Sequence, residues 1–253
     1  MRRLVPLFVV AAVAALLLFP GLGAFGLWDP PEIRVADIAR GVSKESGARP
    51  PLALALQSAG FQSFGLSESA GRLPLAACGL LAVVATGLIG ARLLGAAAGT
   101  LGALVLATSP GFLFHARQLP SDILGLAAGV LAWGGLGVLL QGGARGWRVV
   151  AALLATCGLA LGFFARGGLL GATLPLVAVA VALPPTERGL STASRALRVI
   201  AVIAAAALVV ATALAAWRTS GGYVPLLGGA VRRAGTPPTF DVFLRQLGFA
   251  TFP

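Results

Sequence analysis

The chain has 253 residues, of which 58% are hydrophobic and only 11% are charged. Charged residues make up about a quarter of an ordinary soluble domain, so this composition excludes a soluble globular enzyme. The abundance of apolar residues also excludes a disordered chain. What remains is a polytopic membrane protein built from helices.

Seven segments are apolar enough, and long enough, to cross a bilayer, which takes about 20 residues. They lie near residues 4–27, 73–91, 96–116, 122–141, 149–165, 167–183 and 199–217, with Arg166-Gly167-Gly168 dividing the fifth from the sixth. The sequence therefore predicts an all-α membrane bundle of about seven transmembrane helices. We divide it into a transmembrane domain of residues 1–217, with an outer loop at 28–72, and an outer-face segment at 218–253.

The short loops set the orientation, because cytoplasmic loops of membrane proteins are enriched in Lys and Arg. With the N-terminus in the cytoplasm, the inner side carries arginines such as Arg92, Arg145 and Arg188, and one acid, Glu187. The remaining acids then fall on the outer side. We therefore expect a multi-pass protein of the cell (inner) membrane whose active face is periplasmic.

The net charge of +11 at pH 7 indicates an anionic partner. The basic residues stand singly between apolar runs rather than in a tail or stripe, which argues against nucleic acid. Membrane lipid headgroups, or a lipid-linked phosphate, are the anions that this arrangement favours.

The first outer loop predicts two helices. Asp29-Pro30-Pro31-Glu32 is typical of a helix start, with Asp29 at the N-cap and Glu32 positioned as in a capping box. Arg49-Pro50-Pro51 ends that helix, and a second, half-apolar helix follows from about Leu52. Half-apolar helices of this kind lie on a membrane surface.

Several stretches, taken in chain order, form a recognisable set. They are Glu32-Ile33-Arg34-Val35-Ala36-Asp37-Ile38-Ala39-Arg40, Arg49-Pro50-Pro51-Leu52, Gly65-Leu66-Ser67-Glu68, Arg72-Leu73-Pro74, Ser109-Pro110-Gly111-Phe112, His115-Ala116-Arg117 with Asp122, and residues 238–253. Together they resemble the C-type membrane glycosyltransferases, which include the bacterial lipid A aminoarabinose transferases and the protein O-mannosyltransferases. Pro31 stands where that family has an Asp before the Glu, and Val35 where it has a Tyr.

The resemblance implies transfer of a hexosyl or pentosyl group from a polyprenyl-phosphate donor to a lipid, glycan or protein acceptor on the outer face. An acid takes the acceptor proton or orients the acceptor, and basic residues hold the donor phosphate. On this chain the implied catalytic residues are Glu32, Asp29 and Asp122. The implied substrate-binding residues are Arg34, Arg49, Arg117 and Arg166.

Each of these residues also has a structural interpretation. Asp29 and Glu32 would cap a helix, Asp122 would sit in the first turn of a span, and the arginines would reach lipid headgroups. No spacing of metal-ligating residues in the sequence requires a cofactor, although scattered carboxylates would permit a divalent ion.

Two other classes of function stay open. A transporter would show inverted repeats and midplane charges, which the sequence lacks. A noncatalytic protein of the same fold is favoured by Pro31 and by the short interval between Glu32 and Arg49. Because members of the resembled family generally continue through more spans, we also expect this chain, ending at Pro253, to be part of a complete transferase.

Overall fold

The computed structural model describes residues 5–27, 31–41, 51–120, 122–141, 144–182, 192–218, 223–224, 226 and 229–230. The helices are α1 (Val5–Leu18), α2 (Pro31–Ala39), α3 (Pro51–Phe64), α4 (Glu68–Leu94), α5 (Ala96–Thr108), α6 (Pro110–Ala116), α7 (Ile123–Gln141), α8 (Arg145–Gly167), α9 (Leu174–Ala182) and α10 (Thr192–Arg218). A π-helical segment, Gly168–Thr173, connects α8 to α9. Two short strands, β1 (Tyr223–Val224) and β2 (Gly229–Ala230), pair antiparallel. The prediction of an all-α membrane protein is confirmed.

The chain forms two compact units. Of the described residues, those up to residue 41 and those from 52 to 124 belong to unit 1, and those from 125 to 230 belong to unit 2. The division of the chain at residue 217 into a membrane domain and an outer segment stays a prediction.

Four helical stretches within the described residues are long and apolar enough to cross a membrane. They are Glu68–Leu94, Ile123–Gln141, Arg145–Val179 and Arg195–Ala215. The pair α5 and α6, bent by 65°, makes a fifth when it is counted as one span. Within the described part of the first predicted span, helix α1 has 14 residues, about 21 Å at 1.5 Å per residue, which is short of the roughly 30 Å hydrocarbon core. The predicted count of seven spans is therefore not confirmed.

The long stretch Arg145–Val179 changes direction at Gly167. That residue has φ 78° and ψ −179°, a backbone conformation that only glycine adopts readily. The backbone of Gly162 then lies directly against the backbone of Gly171. In a straight helix these two residues would be roughly 13 Å apart. The chain thus folds back on itself where Arg166-Gly167-Gly168 was predicted to divide two spans.

In unit 1, α4 and α5 form an antiparallel pair, and the other elements of the unit pack against it. The hydroxyl of Ser67 caps α4 by accepting a hydrogen bond from the Ala70 N–H at 3.2 Å. Helix α4 ends at Leu94, and Gly95, with φ 99°, is its C-cap. Gly99 of α5 packs directly on the backbone of α4 at Gly87 and Ala91. Helix α1 contacts both α4 and α5.

The outer loop of unit 1 folds onto the N-terminal end of α4. Helices α2 and α3 enclose a small apolar cluster together with the turn after α6. Its buried members are Val35, Ala36, Ala39, Phe61, Ala70 and Leu119. Both helices are thus packed against protein along one side, and this packing positions the first turn of α2, where Glu32 lies.

Unit 2 is held together by close approaches between helices. A Cβ added to Gly158 of α8 would fall on the backbone of α7 at Ala128 and Ala132. The Leu169 N–H donates to the Leu226 carbonyl at 2.8 Å, which ties the π-helical segment to the residues after α10. Small residues at such contacts let helices approach closely in a membrane, where packing drives association.

Candidate functional site

Glu32 is buried, although it is an acid in the first turn of a short helix. It lies on the same face of α2 as Val35, Ala36 and Ala39, because residues three, four and seven positions apart share one helix face. That face packs into the apolar cluster of unit 1, so that only 1% of Glu32 is exposed. A buried carboxylate needs a charged or hydrogen-bonding partner, and α4 supplies one.

Arg72 of α4 is that partner, and it is 5% exposed. Its Nε donates to Glu32 Oε1 at 3.2 Å, and its Nη2 donates to Glu32 Oε2, which makes a two-point ion pair. Its Nη1 donates to the carbonyls of Leu22 at 2.7 Å and Phe25 at 2.9 Å. Its Nη2 also donates to the Gly26 carbonyl at 3.0 Å. Since a guanidinium has five N–H donors, Arg72 is fully satisfied within the protein.

The same carboxylate also fixes the turn that follows α6. Glu32 Oε1 accepts a hydrogen bond from the Leu119 N–H at 2.9 Å. On the other side of that residue, the Gln57 side chain of α3 donates to the Leu119 carbonyl at 2.7 Å. Leu119 and Gln57 are each 1% exposed. The turn is therefore held by side chains from two different helices of the outer loop.

Arg117 and Asp122 flank this turn. Arg117 is half-buried, and it donates from Nη1 to the Leu17 carbonyl at 2.8 Å and from Nη2 to the Pro20 carbonyl at 2.7 Å. It thus holds the C-terminal end of α1, where free carbonyls and the helix dipole favour a cation. Asp122 is exposed and immediately precedes α7.

The remaining predicted site residues are placed as follows. Arg34 is exposed on α2, on the face opposite the apolar cluster. Arg166 is half-buried in the last turn of α8, and its aliphatic stem packs against Gly125 within unit 2. Asp29 and Arg49 lie outside the described residues. Unit 1 therefore contains Glu32, Arg34, Arg117 and Asp122. Glu32 binds the Leu119 N–H, in the same chain segment that carries Asp122.

No group of three or more His, Cys, Asp or Glu side chains is placed to hold a metal ion in the part of the chain that the structure describes. The interpretation that scattered carboxylates would permit a divalent ion stays untested. The contacts seen at Glu32 are to a guanidinium and to a backbone amide, and both are groups that stabilise a carboxylate without metal.

Two residues of this network were not among the predicted site residues. Arg72 belongs to the Arg72-Leu73-Pro74 motif, yet the 40 positions that separate it from Glu32 give no periodic signal of pairing. Gln57 is one of two glutamines on α3, and nothing in the sequence distinguishes it from the exposed Gln62. A charged residue at the start of an apolar span was the available clue for Arg72, since such charges are retained only when they are partnered.

A sequence model of the family described as dolichyl-phosphate-mannose-protein mannosyltransferase matches residues 48–217. A comparison with curated protein sequences finds no match. Among solved structures, the crystal structure of ArnT from Cupriavidus metallidurans bound to undecaprenyl phosphate is similar to this chain, with a TM-score of 0.62 and 21% identity over 81% of this chain and 41% of that one. The apo structure of the same ArnT has a TM-score of 0.64 and 20% identity, over 81% of this chain and 42% of that one. The fold is shared, and this chain spans less than half the length of the ArnT chain.

Proposed function

Because the chain belongs to the dolichyl-phosphate-mannose-protein mannosyltransferase family, a family of membrane glycosyltransferases, we propose that it transfers a hexosyl or pentosyl group from a polyprenyl-phosphate donor. The acceptor is a lipid, glycan or protein at the periplasmic face of the cell (inner) membrane. The observation that carries the proposal is the family match over residues 48–217, which includes Arg72, Arg117 and Asp122. The fold shared with an ArnT solved with undecaprenyl phosphate bound supports the class of donor.

We assign different roles to Asp122 and Glu32, because Asp122 is exposed and Glu32 is buried. A base must be reachable by the acceptor hydroxyl whose proton it takes. Asp122 is exposed and meets that condition, and Asp29, in the outer loop, is the second candidate. Glu32 is buried against Arg72, so its part in catalysis is to hold the outer loop and the turn after α6 in place around the reacting groups.

The arginines are proposed to stabilise the departing phosphate. Guanidinium groups suit this task because they present paired donors that match phosphate oxygens. Arg34, exposed on α2 two residues from Glu32, and Arg49 are the first candidates. Arg117 donates through Nη1 and Nη2 to the carbonyls of Leu17 and Pro20, and a guanidinium has five N–H donors in all. Arg166 lies in unit 2, and its role in binding phosphate stays a prediction from the sequence.

A noncatalytic protein of the same fold is the second candidate function. The observation that favours it is the complete engagement of Glu32, whose carboxylate accepts from Arg72 and from the Leu119 N–H while 1% of the residue is exposed. On this hypothesis the acidic motif of the outer loop serves only to assemble the fold. The two candidates differ in whether Asp122 is needed for any reaction.

The test uses membrane vesicles from cells that express the protein, so that any further part of a complete transferase is present, with radiolabelled undecaprenyl-phosphate mannose as donor. Cell envelopes from a strain lacking the gene provide the acceptors, and label in lipid, glycan and protein fractions is counted. We expect transfer by the wild type, and a loss of roughly 100-fold or more in Asp122→Asn, the scale of a missing general base. Asp37→Asn, an acid of α2 outside the proposed site, is the matched control and should retain activity.

Two results would contradict the proposal in different ways. Transfer that persists unchanged in Asp122→Asn would remove that residue from the mechanism but leave the activity standing. No transfer by the wild type, together with identical lipids and glycans in cells with and without the gene, would favour the noncatalytic protein. A sugar lost from one fraction of the mutant cells would identify both the donor sugar and the acceptor.

A further inference from the structure

Gln57 is buried in a way that apolar packing does not explain. Only 1% of the residue is exposed, and its Nε2 donates to the Leu119 carbonyl at 2.7 Å. Its Oε1 is also buried and has no hydrogen-bond partner among the residues that the structure describes. A buried amide that is satisfied at one end only is less favourable than an apolar side chain. Sequences break such rules most often where function requires it.

The carbonyl that Gln57 binds belongs to the peptide bond between Leu119 and Pro120. The ring of Pro120 fixes its own φ near −65°, and a residue that precedes proline is confined to extended conformations. Pro120 therefore contributes a single soft dihedral angle, its ψ, to the path between this peptide and Asp122, three residues after Leu119. The orientation of the peptide plane thus sets the direction in which the chain leaves towards Asp122.

Among the described side chains, Gln57 alone donates a hydrogen bond to the Leu119 carbonyl. The other contacts of the turn are made at different groups. Arg117 anchors the beginning of the turn on the Leu17 and Pro20 carbonyls. Glu32 anchors the Leu119 N–H, which belongs to the preceding peptide plane. The plane that leads to Asp122 is held by Gln57.

We propose that Gln57 is a positioning residue for Asp122 and acts through the Leu119–Pro120 peptide. The inference rests on the proposed role of Asp122 as the proton acceptor. Loss of the Gln57 donor leaves the peptide plane free to tilt and moves the Asp122 carboxylate away from the acceptor hydroxyl. The turnover step suffers, because a displacement of about 1 Å costs up to roughly 100-fold in rate. Donor binding is preserved, because Arg117, the proposed phosphate ligand at the beginning of the turn, is anchored separately on the Leu17 and Pro20 carbonyls.

The experiment compares Gln57→Met, Gln57→Asn and Gln62→Met in the full chain in vesicles. The first variant removes the donor at nearly constant volume, and the second keeps an amide that is one methylene too short to reach Leu119. Gln62, exposed on the same helix and bonded to the Ser58 hydroxyl at 3.2 Å, is the control. The measurements are kcat, KM for undecaprenyl-phosphate mannose, Tm, and amide hydrogen exchange of peptides that cover residues 117–123.

We expect kcat to fall roughly 10- to 100-fold in both Gln57 variants, with KM for the donor unchanged within about twofold. Exchange within residues 117–123 should become faster, while Gln62→Met matches the wild type in every measurement. Wild-type kcat in both Gln57 variants, or a fall in kcat that only follows the fraction of folded protein, would overturn the proposal.

Failure of the proposed function is seen separately, as absence of transfer by the wild type. Hydrogen exchange then decides the anchoring role of Gln57 without any activity. Faster exchange confined to residues 117–123 in the Gln57 variants supports control of the turn by Gln57. Exchange equal to that of Gln62→Met in this segment overturns it.

Discussion

Arg72→Met is the substitution that best tests how the outer loop is held. The methionine keeps an unbranched apolar stem but removes all five donors. The Glu32 carboxylate loses its ion pair inside the protein, and the carbonyls of Leu22, Phe25 and Gly26 lose their donor. Removing one partner of a buried ion pair costs about 3–5 kcal/mol. For a chain of this size that corresponds to a fall in Tm of roughly 6–20 °C.

The companion substitution Glu32→Gln should cost less, about 1.5–3 kcal/mol, the scale of hydrogen bonds to a charged group. Its amide oxygen can still accept a hydrogen bond from the Leu119 N–H, and Arg72 keeps its three carbonyl acceptors. The double variant leaves no unpaired buried charge, so its loss should fall short of the sum of the single losses by about 0.5–3 kcal/mol.

The assay is thermal unfolding of each purified variant, followed by the monomer remaining in size-exclusion chromatography after heating. Unfolding of Arg72→Met at the wild-type temperature would show that the Arg72–Glu32 ion pair does not stabilise the folded protein. If the two single losses add in the double variant, Arg72 and Glu32 do not interact in the folded protein.

Three further predictions follow from the packing and the topology. Gly99→Ala should lower Tm because the new Cβ falls on the backbone of α4, whereas Gly102→Ala, whose nearest neighbour is a Thr86 methyl at 3.8 Å, should be neutral or stabilising. Gly167→Ala should destabilise the protein by about 1–3 kcal/mol in the same assay, since its φ of 78° strains any other residue. The orientation can be tested in a chain whose native cysteines are replaced by alanine. A membrane-impermeant thiol reagent is added to intact cells whose outer membrane has been permeabilised. It should label Glu45→Cys and leave Gly189→Cys unlabelled. The opposite pattern would invert the proposed orientation.

The membrane class and the family could both be predicted from the amino-acid sequence. Apolar runs of bilayer length can be stable only in lipid, and the helical membrane protein they predicted is confirmed. The ordered motifs around Glu32, Arg72 and Arg117 indicated a C-type glycosyltransferase, and the family match confirms it. Local signals also predicted a helix after Asp29, which the structure describes from Pro31, a second from about Leu52, which begins at Pro51, and the break at Gly167. Proline and glycine give these signals because they restrict or free the backbone at their own positions.

The contacts of the charged residues could not be predicted from the sequence and became clear from the packing of the helices. Glu32 was predicted to be catalytic or to cap its helix, and the structure pairs it with Arg72 from 40 residues away. Arg117, predicted to hold phosphate, donates to the carbonyls of Leu17 and Pro20, about 100 residues earlier in the chain. Hydrophobic periodicity reports whether a residue faces protein, lipid or water. It carries no information on which distant segment supplies the partner, because that depends on how the helices pack against one another.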